Sequence, residues 1–145
     1  MIAIVDYNAG NLRSVKKALD YLKSDSIITS DPDDISQAEK IVFPGVGSFG
    51  ESVFSLEEKN LTKVLKEFIN DGKPFLGICL GLQLLFENSE ESPKSKGLSI
   101  LKGKVVKYKK GKIPQIGWNE VIPHKKFFKR GYAYFANSYY VAPID

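Results

Sequence analysis

The 145-residue sequence has a single cysteine, Cys79, and a single histidine, His124. One thiol forms no internal disulfide, which excludes a disulfide scaffold and favours a reducing compartment. A lone thiol and a lone imidazole also make a poor ligand set, so neither a protein-bound metal nor another cofactor is expected. Long apolar runs are missing too. The apolar start Met1–Val5 stops at Asp6, too short for a signal peptide or a membrane span, and a cytoplasmic location is the expectation. Arginine is scarce where cations cluster: residues 94–130 carry twelve Lys/Arg, of which only Arg130 is arginine. Ammonium groups are weak substitutes for the bidentate fork that reads bases and phosphates. Acidic residues nearly vanish from the same stretch, one against twelve for a net of +11, whereas residues 1–93 carry fifteen against nine for a net of −6. The basic stretch reads as a lysine-rich solvated face. A polyanion, or an acidic partner protein, is the alternative reading.

What is present suffices for one globular domain with a real core, since 43% of residues are hydrophobic and 26% charged. Ile2–Val5 reads as a short buried strand, and a helix follows with Leu12, Val15, Leu19 and Leu22 on one face and Asn11 as its N-cap. Residues 26–29 and 41–43 are further strands, and Asp31–Asp34 is a turn leading into a short helix. Leu61, Val64, Leu65, Phe68 and Ile69 mark an amphipathic helix ended by Asp71-Gly72. Residues 74–78 form a fourth strand and 80–87 a fourth helix. Strands apolar on both faces and alternating with helices indicate a mostly parallel sheet covered on both sides, a three-layer α/β/α domain. Beyond Ser89 the short runs 104–108 and 132–135 look like antiparallel additions.

Gly77-Ile78-Cys79-Leu80-Gly81, between an apolar strand and an apolar helix, has the nucleophile-elbow pattern with cysteine at its centre. The sharp turn lifts the central side chain above the carboxyl edge of the sheet, and the flanking glycines leave room that Cβ atoms would fill. The helix start favours negative charge there, hence a thiolate, and the Leu80 amide can face an oxyanion. A buried structural cysteine is the competing reading, because free cysteine is commonly buried. Position between strand and helix favours the nucleophile.

Gly45, Gly47 and Gly50 match the dinucleotide fingerprint G-x-G-x-x-G, yet they follow the third strand rather than the first, and no acidic residue ends the next strand. Pro44–Gly50 reads better as a glycine loop that turns a backbone amide toward a reacting carbonyl; an ordinary glycine turn is the plainer alternative. A nucleophilic thiol also needs a base. His124, in a lysine-rich turn, has nothing around it that would orient it as one.

Lys73–Phe86 resembles the nucleophile segment of class I (triad) glutamine amidotransferases. Pro44–Gly50 is similar to the oxyanion loop of one branch, the glutaminase subunit of imidazole glycerol phosphate synthase in histidine biosynthesis. Val5–Leu12, Ile116–Asn119 and Tyr134–Tyr140 fit the same branch, so the resemblance runs from Ile2 to Val141. It implies a flavodoxin-like amidotransferase domain over residues 1–145, in which Cys79 attacks the side-chain amide of glutamine and forms a thioester. Val46, Gly47 and Leu80 would supply the oxyanion amides, and Gln83, Ser138 and Tyr139 would line the glutamine pocket. Ammonia would pass to a (β/α)₈-barrel cyclase subunit in a heterodimer, with Asn8, Asn11, Trp118 and Tyr134 at or near the docking face. Neither nucleic acid nor membrane is an expected partner.

Two departures from the branch stand out. Its base is the histidine of a His-x-Glu motif that these 145 residues do not contain, so the resemblance implies a domain incomplete at its C-terminus and a polypeptide poorly active alone. Asn137 stands where histidine usually precedes Ser-Tyr-Tyr. An amidotransferase feeding a surface-sugar pathway is the sibling reading, and a non-catalytic module that docks a barrel partner is the reading from another class.

Overall fold

In the computed structural model, which describes residues 1–124 and 129–144, β1 (Ile2–Val5) runs into a loop and then α1 (Leu12–Tyr21). β2 (Ser26–Thr29), α2 (Pro32–Gln37) and β3 (Lys40–Gly45) follow, then α3 (Phe49–Glu58), α4 (Leu61–Asn70), β4 (Phe75–Cys79) and α5 (Leu80–Gln83). The remaining elements are β5 (Asn88–Ser89), β6 (Gly103–Lys107), β7 (Gln115–Val121), β8 (Gly131–Asn137) and β9 (Tyr139–Pro143). Lys125 and Lys126 of the basic stretch, and the terminal Asp145, lie outside the described residues.

The first four strands form a parallel sheet in the order β2-β1-β3-β4. β1 to β2 moves one way along the sheet and β2 to β3 the other. Right-handed crossovers therefore place α1 on one face and α2 on the opposite one. Ala3, Val5, Ile41 and Phe43 are buried in one cluster with Ile35 of α2, Leu56 of α3, and Leu61, Leu65 and Phe68 of α4. The alternate strand positions face α1. That side is thinner than the two-sided coverage expected: no α1 side chain is fully buried, the helix-face residue Leu22 is 67% exposed, and Leu76 and Ile78 of β4 are 51% and 39% exposed.

Two helices differ from the sequence reading. α3 starts inside what reads as a glycine loop, because Ser48 caps it by accepting from the Glu51 amide at 3.4 Å. The Ser48-x-x-Glu51 spacing is the local signal for that start. α5 stops after one turn instead of reaching Glu87. The Leu85 and Phe86 amides donate only three residues back, to the Leu82 and Gln83 carbonyls, and the Glu87 amide leaves for the Gly103 carbonyl at 3.3 Å, so the four-residue ladder does not continue.

In the C-terminal third, β5 pairs parallel to β6, and β6 pairs antiparallel to β9. β7 and β8 form a separate antiparallel hairpin in which Trp118 faces Tyr134.

Candidate active site

β1, β3 and β4 all end at the carboxyl edge of the sheet, and Gly45 pairs with Cys79 at the last position of β3 and β4. Cys79 is exposed. Its backbone lies at φ +55, ψ −115, a conformation that costs an L-residue about 1–3 kcal/mol and persists only where the surroundings impose it. Those surroundings are visible on both sides. A Cβ at Gly77 would come within 2.8 Å of the Leu82 Cα, and one at Gly81 would run into the Phe43 carbonyl. The elbow is therefore wedged against β3 by close backbone approach, and the reading of Cys79 as a buried core thiol is excluded.

Beside it, β3 ends and Val46–Ser48 form the whole connection to α3. Gly47 takes φ +104 with open space on its Cβ side, a backbone state that L side chains rarely adopt. The amides of Phe49 and Gly50, at the start of α3, are already occupied: Glu91 accepts from Phe49 at 2.8 Å and Ser92 from Gly50 at 3.1 Å.

A cavity of about 230 Å³ opens at this edge. It is lined by Cys79 and Leu80 of the elbow, Val46 and Gly47 of the loop, Gln83, Glu91, and Ala136, Asn137, Ser138 and Tyr139 at the β8–β9 junction. The structure thus brings together all seven residues expected to act as nucleophile, oxyanion donors and substrate pocket. Gln83 is tied across the cavity, its Nε2 donating to the Tyr139 carbonyl at 3.4 Å. Asn137 donates to the Tyr139 carbonyl at 2.9 Å and to the Tyr108 hydroxyl at 3.4 Å, while its own Oδ1 is buried without a partner. A second cavity of about 350 Å³ shares Cys79, Gln83, Asn137 and Tyr139 and continues to Tyr134 and the stacked Tyr108–Tyr140 pair.

Glu91 is the site residue that sequence reasoning missed. It sits in an acidic run, Glu87 to Glu91, with nothing local to distinguish it from solvated neighbours. Only the fold returns it to the cavity, next to a helix start 42 residues earlier.

The four residues expected at a docking face divide into two groups. Trp118 and Tyr134 are 71% and 57% exposed, and their rings meet edge to face with centroids 5.6 Å apart. Asn8 and Asn11 are exposed in the β1–α1 loop at the same sheet edge as Cys79, with Asn11 capping α1 through Ser14. His124 is exposed just beyond β7 and lines neither cavity. Tyr7 lies beneath the edge. Burial, and next the negative charge that Cys79 carries as thiolate, push its phenol above the ordinary tyrosine range.

Residues 3–143 match the family profile described as Glutamine amidotransferase class-I. The chain is 49% identical over 155 residues to imidazole glycerol phosphate synthase subunit HisH 1 of Methanococcus maripaludis, a match that covers all of this chain and 76% of the relative. It is 55% identical over 150 residues to the subunit HisH of Pyrococcus furiosus, covering 99% of this chain and 74% of the relative. Among solved structures, a glutamine amidotransferase aligns with a TM-score of 0.75 at 18% identity, over 94% of this chain and 71% of that one. PurLQS from Thermotoga maritima aligns with a TM-score of 0.65 at 19% identity, over 99% and 69%. At such identities these two similarities show the fold alone.

Proposed function

Since the chain belongs to the class-I glutamine amidotransferases, in the branch of the imidazole glycerol phosphate synthase subunit HisH, we propose that the cavity beside Cys79 is its glutaminase site and that ammonia made there passes to a cyclase subunit. The branch is the one expected, and Asn137 in place of the usual histidine does not move the chain out of it. The carrying observation is an exposed cysteine on a strained elbow, in one cavity with the Val46–Gly47 loop.

The Cys79 thiolate attacks the γ-carboxamide carbon of glutamine, and the carbonyl oxygen takes the electron pair as an oxyanion. Amides of the Val46–Gly47 region and of Leu80 hold that charge, which develops only in the transition state and so lowers the barrier rather than merely tightening binding. The amide nitrogen of the tetrahedral intermediate takes up a proton, and collapse then breaks the C–N bond, releases ammonia and leaves a glutamyl thioester. Water then hydrolyses the thioester to glutamate and frees Cys79. Gln83, Ser138 and Tyr139 face the substrate's main-chain end, and the Glu91 carboxylate provides the negative charge that an α-ammonium group requires.

The exposed aromatic face of the β7–β8 hairpin, with Ile116, Trp118, Tyr132 and Tyr134, is the docking surface for the cyclase, a (β/α)₈ barrel in a cytoplasmic heterodimer. Among the described residues no helix is long and apolar enough to cross a membrane.

The test is glutamate release from glutamine by the subunit assembled with its cyclase. Cys79→Ala lowers turnover by at least about 10⁴-fold, the scale on which nucleophile removal acts, and leaves the melting temperature unchanged because the side chain is exposed. Turnover that survives the substitution overturns the assignment.

A further inference from the structure

The side chain of Tyr7 is completely buried, although the residue begins a surface loop. Its ring lies against Phe43 with centroids 4.9 Å apart, and its hydroxyl donates to the Pro44 carbonyl at 2.8 Å. That carbonyl sits where the parallel ladder fails. Pairing of β1 with β3 ends at Ile4 and Val42, and just beyond β1 the Asp6 amide continues the ladder on the other side, donating to the Thr29 carbonyl of β2 at 2.8 Å. In a strand the N–H and C=O of one residue project to the same side. Pro44 therefore lacks its N–H on the side where β1 has left, and its carbonyl would be stranded there but for the Tyr7 hydroxyl. Tyr7 replaces the missing rung.

The rung is the last braced point before the oxyanion loop. At Gly45 an added Cβ would run into the Tyr7 hydroxyl and would also come within 2.8 Å of the Gly81 amide and 2.9 Å of the Leu80 Cβ. The end of β3 is thus held by the Tyr7 hydrogen bond and packed closely against both Tyr7 and the elbow. Immediately beyond it Val46 is exposed, and a Cβ added at Gly47 would meet nothing within 4 Å. The direction in which the Val46–Gly47 amides point is set by the clamped peptide they grow from.

Resting on the glutaminase reading, we propose that Tyr7 is a positioning residue: through the Pro44 carbonyl its hydroxyl aims the Val46–Gly47 amides at the oxyanion beside Cys79. No proton moves through Tyr7. Its burial keeps it an O–H donor throughout the working pH range, as the role demands. Because the aimed bond strengthens only as the oxyanion forms, loss of the hydroxyl acts on kcat and not on KM.

Tyr7→Phe keeps the ring on Phe43 and removes one oxygen. The measurement is glutamine hydrolysis by the assembled enzyme, normalised to Cys79 sites alkylated by a glutamine analogue, a reaction that needs the folded pocket, so that misfolded material does not count. Expected is a fall in kcat of about tenfold, with KM unchanged and with the rate of iodoacetamide alkylation unchanged, since displacement at a saturated carbon develops no oxyanion. Leu65→Ala, which loosens the core from α4, serves as the stability control and keeps wild-type kcat per alkylated site. The proposal is overturned by a Tyr7→Phe enzyme with wild-type kcat per site, by a fall in alkylation that parallels kcat, or by a Leu65→Ala enzyme that loses kcat equally. A wild-type complex that releases no glutamate overturns the glutaminase reading itself, a result distinguishable from an active wild type indifferent to Tyr7→Phe.

Discussion

The parallel sheet and the β7–β8 hairpin use apolar residues for opposite purposes. In β1 and β3, every residue from Ala3 to Val5 and from Ile41 to Gly45 is buried, and the helices α2, α3 and α4 close over one face. In β7 and β8 no residue is fully buried, and the side that turns outward carries Ile116, Trp118, Tyr132 and Tyr134. The sheet spends its hydrophobicity on its own stability; the hairpin holds its in reserve for another surface. Charge divides along the same line, with the acidic residues concentrated before residue 94 and the lysines after it. Cys79 lies at the junction, on the last residue of a sheet strand but walled by the β8–β9 turn. Such a site depends on the sheet for its geometry and on the second region for its substrate walls.

The largest separation between the regions should appear in stability. Leu65 is fully buried in the cluster that joins α4 to β1 and β3. Truncating it to alanine leaves a cavity that the surrounding backbone fills only partly. Leu65→Ala is expected to lower unfolding free energy by about 2–5 kcal/mol, measured by urea denaturation followed by circular dichroism. A loss below about 0.5 kcal/mol would mean that the sheet is not where the stability resides.

Much of this division was legible in the sequence, for identifiable reasons. Strands buried on both faces leave continuous apolar runs, so Ile2–Val5 and Ile41–Phe43 were readable, and α4 showed itself through Leu61, Val64, Leu65 and Phe68. The elbow was readable because close backbone approach restricts two positions to glycine at a fixed distance from the cysteine. What was not legible depended on partners remote in the chain. α5 ends early because the Glu87 amide is drawn to the Gly103 carbonyl and the amides before it reach back only three residues, and Glu91 enters the cavity because it meets Phe49. α3 is a different kind of miss: Ser48 and Glu51 carry its start signal, but Gly45, Gly47 and Gly50 obscure it by suggesting a loop.

A second, smaller effect tests the hairpin. Trp118 touches Tyr134 edge to face and is otherwise largely open to solvent. Trp118→Ala therefore removes little from the folded subunit, less than about 0.5 kcal/mol. A buried aromatic anchor at an interface contributes about 2 kcal/mol or more. If the hairpin face holds the cyclase, the same substitution weakens the complex by about thirtyfold, as titration calorimetry would read it. A destabilised subunit with an unchanged complex would reverse the comparison and make the hairpin a part of the core.

The smallest expected effect contrasts a tyrosine of the sheet region with those displayed on the hairpin. Tyr7 is buried and hydrogen-bonded to Pro44, while Tyr132 and Tyr134 stand in solvent. Burial foremost, and then the Cys79 charge, hold the Tyr7 phenol protonated above its ordinary pKa of about 10. Above that pH the unfolded chain has released the Tyr7 proton and the native state has not. The unfolded state then binds fewer protons, and native stability falls as pH rises, by at most about 1.4 kcal/mol per pH unit for this one group. Below pH 10 both states are protonated and Tyr7 adds no slope. The difference in unfolding free energy between wild type and Tyr7→Phe isolates that slope from every other titrating group. It should be flat from pH 7 to 9.5 and shift against the wild type from pH 10 upward. A difference that stays flat through that range would place the Tyr7 hydroxyl in contact with solvent, and the sheet edge would then be as open as the hairpin.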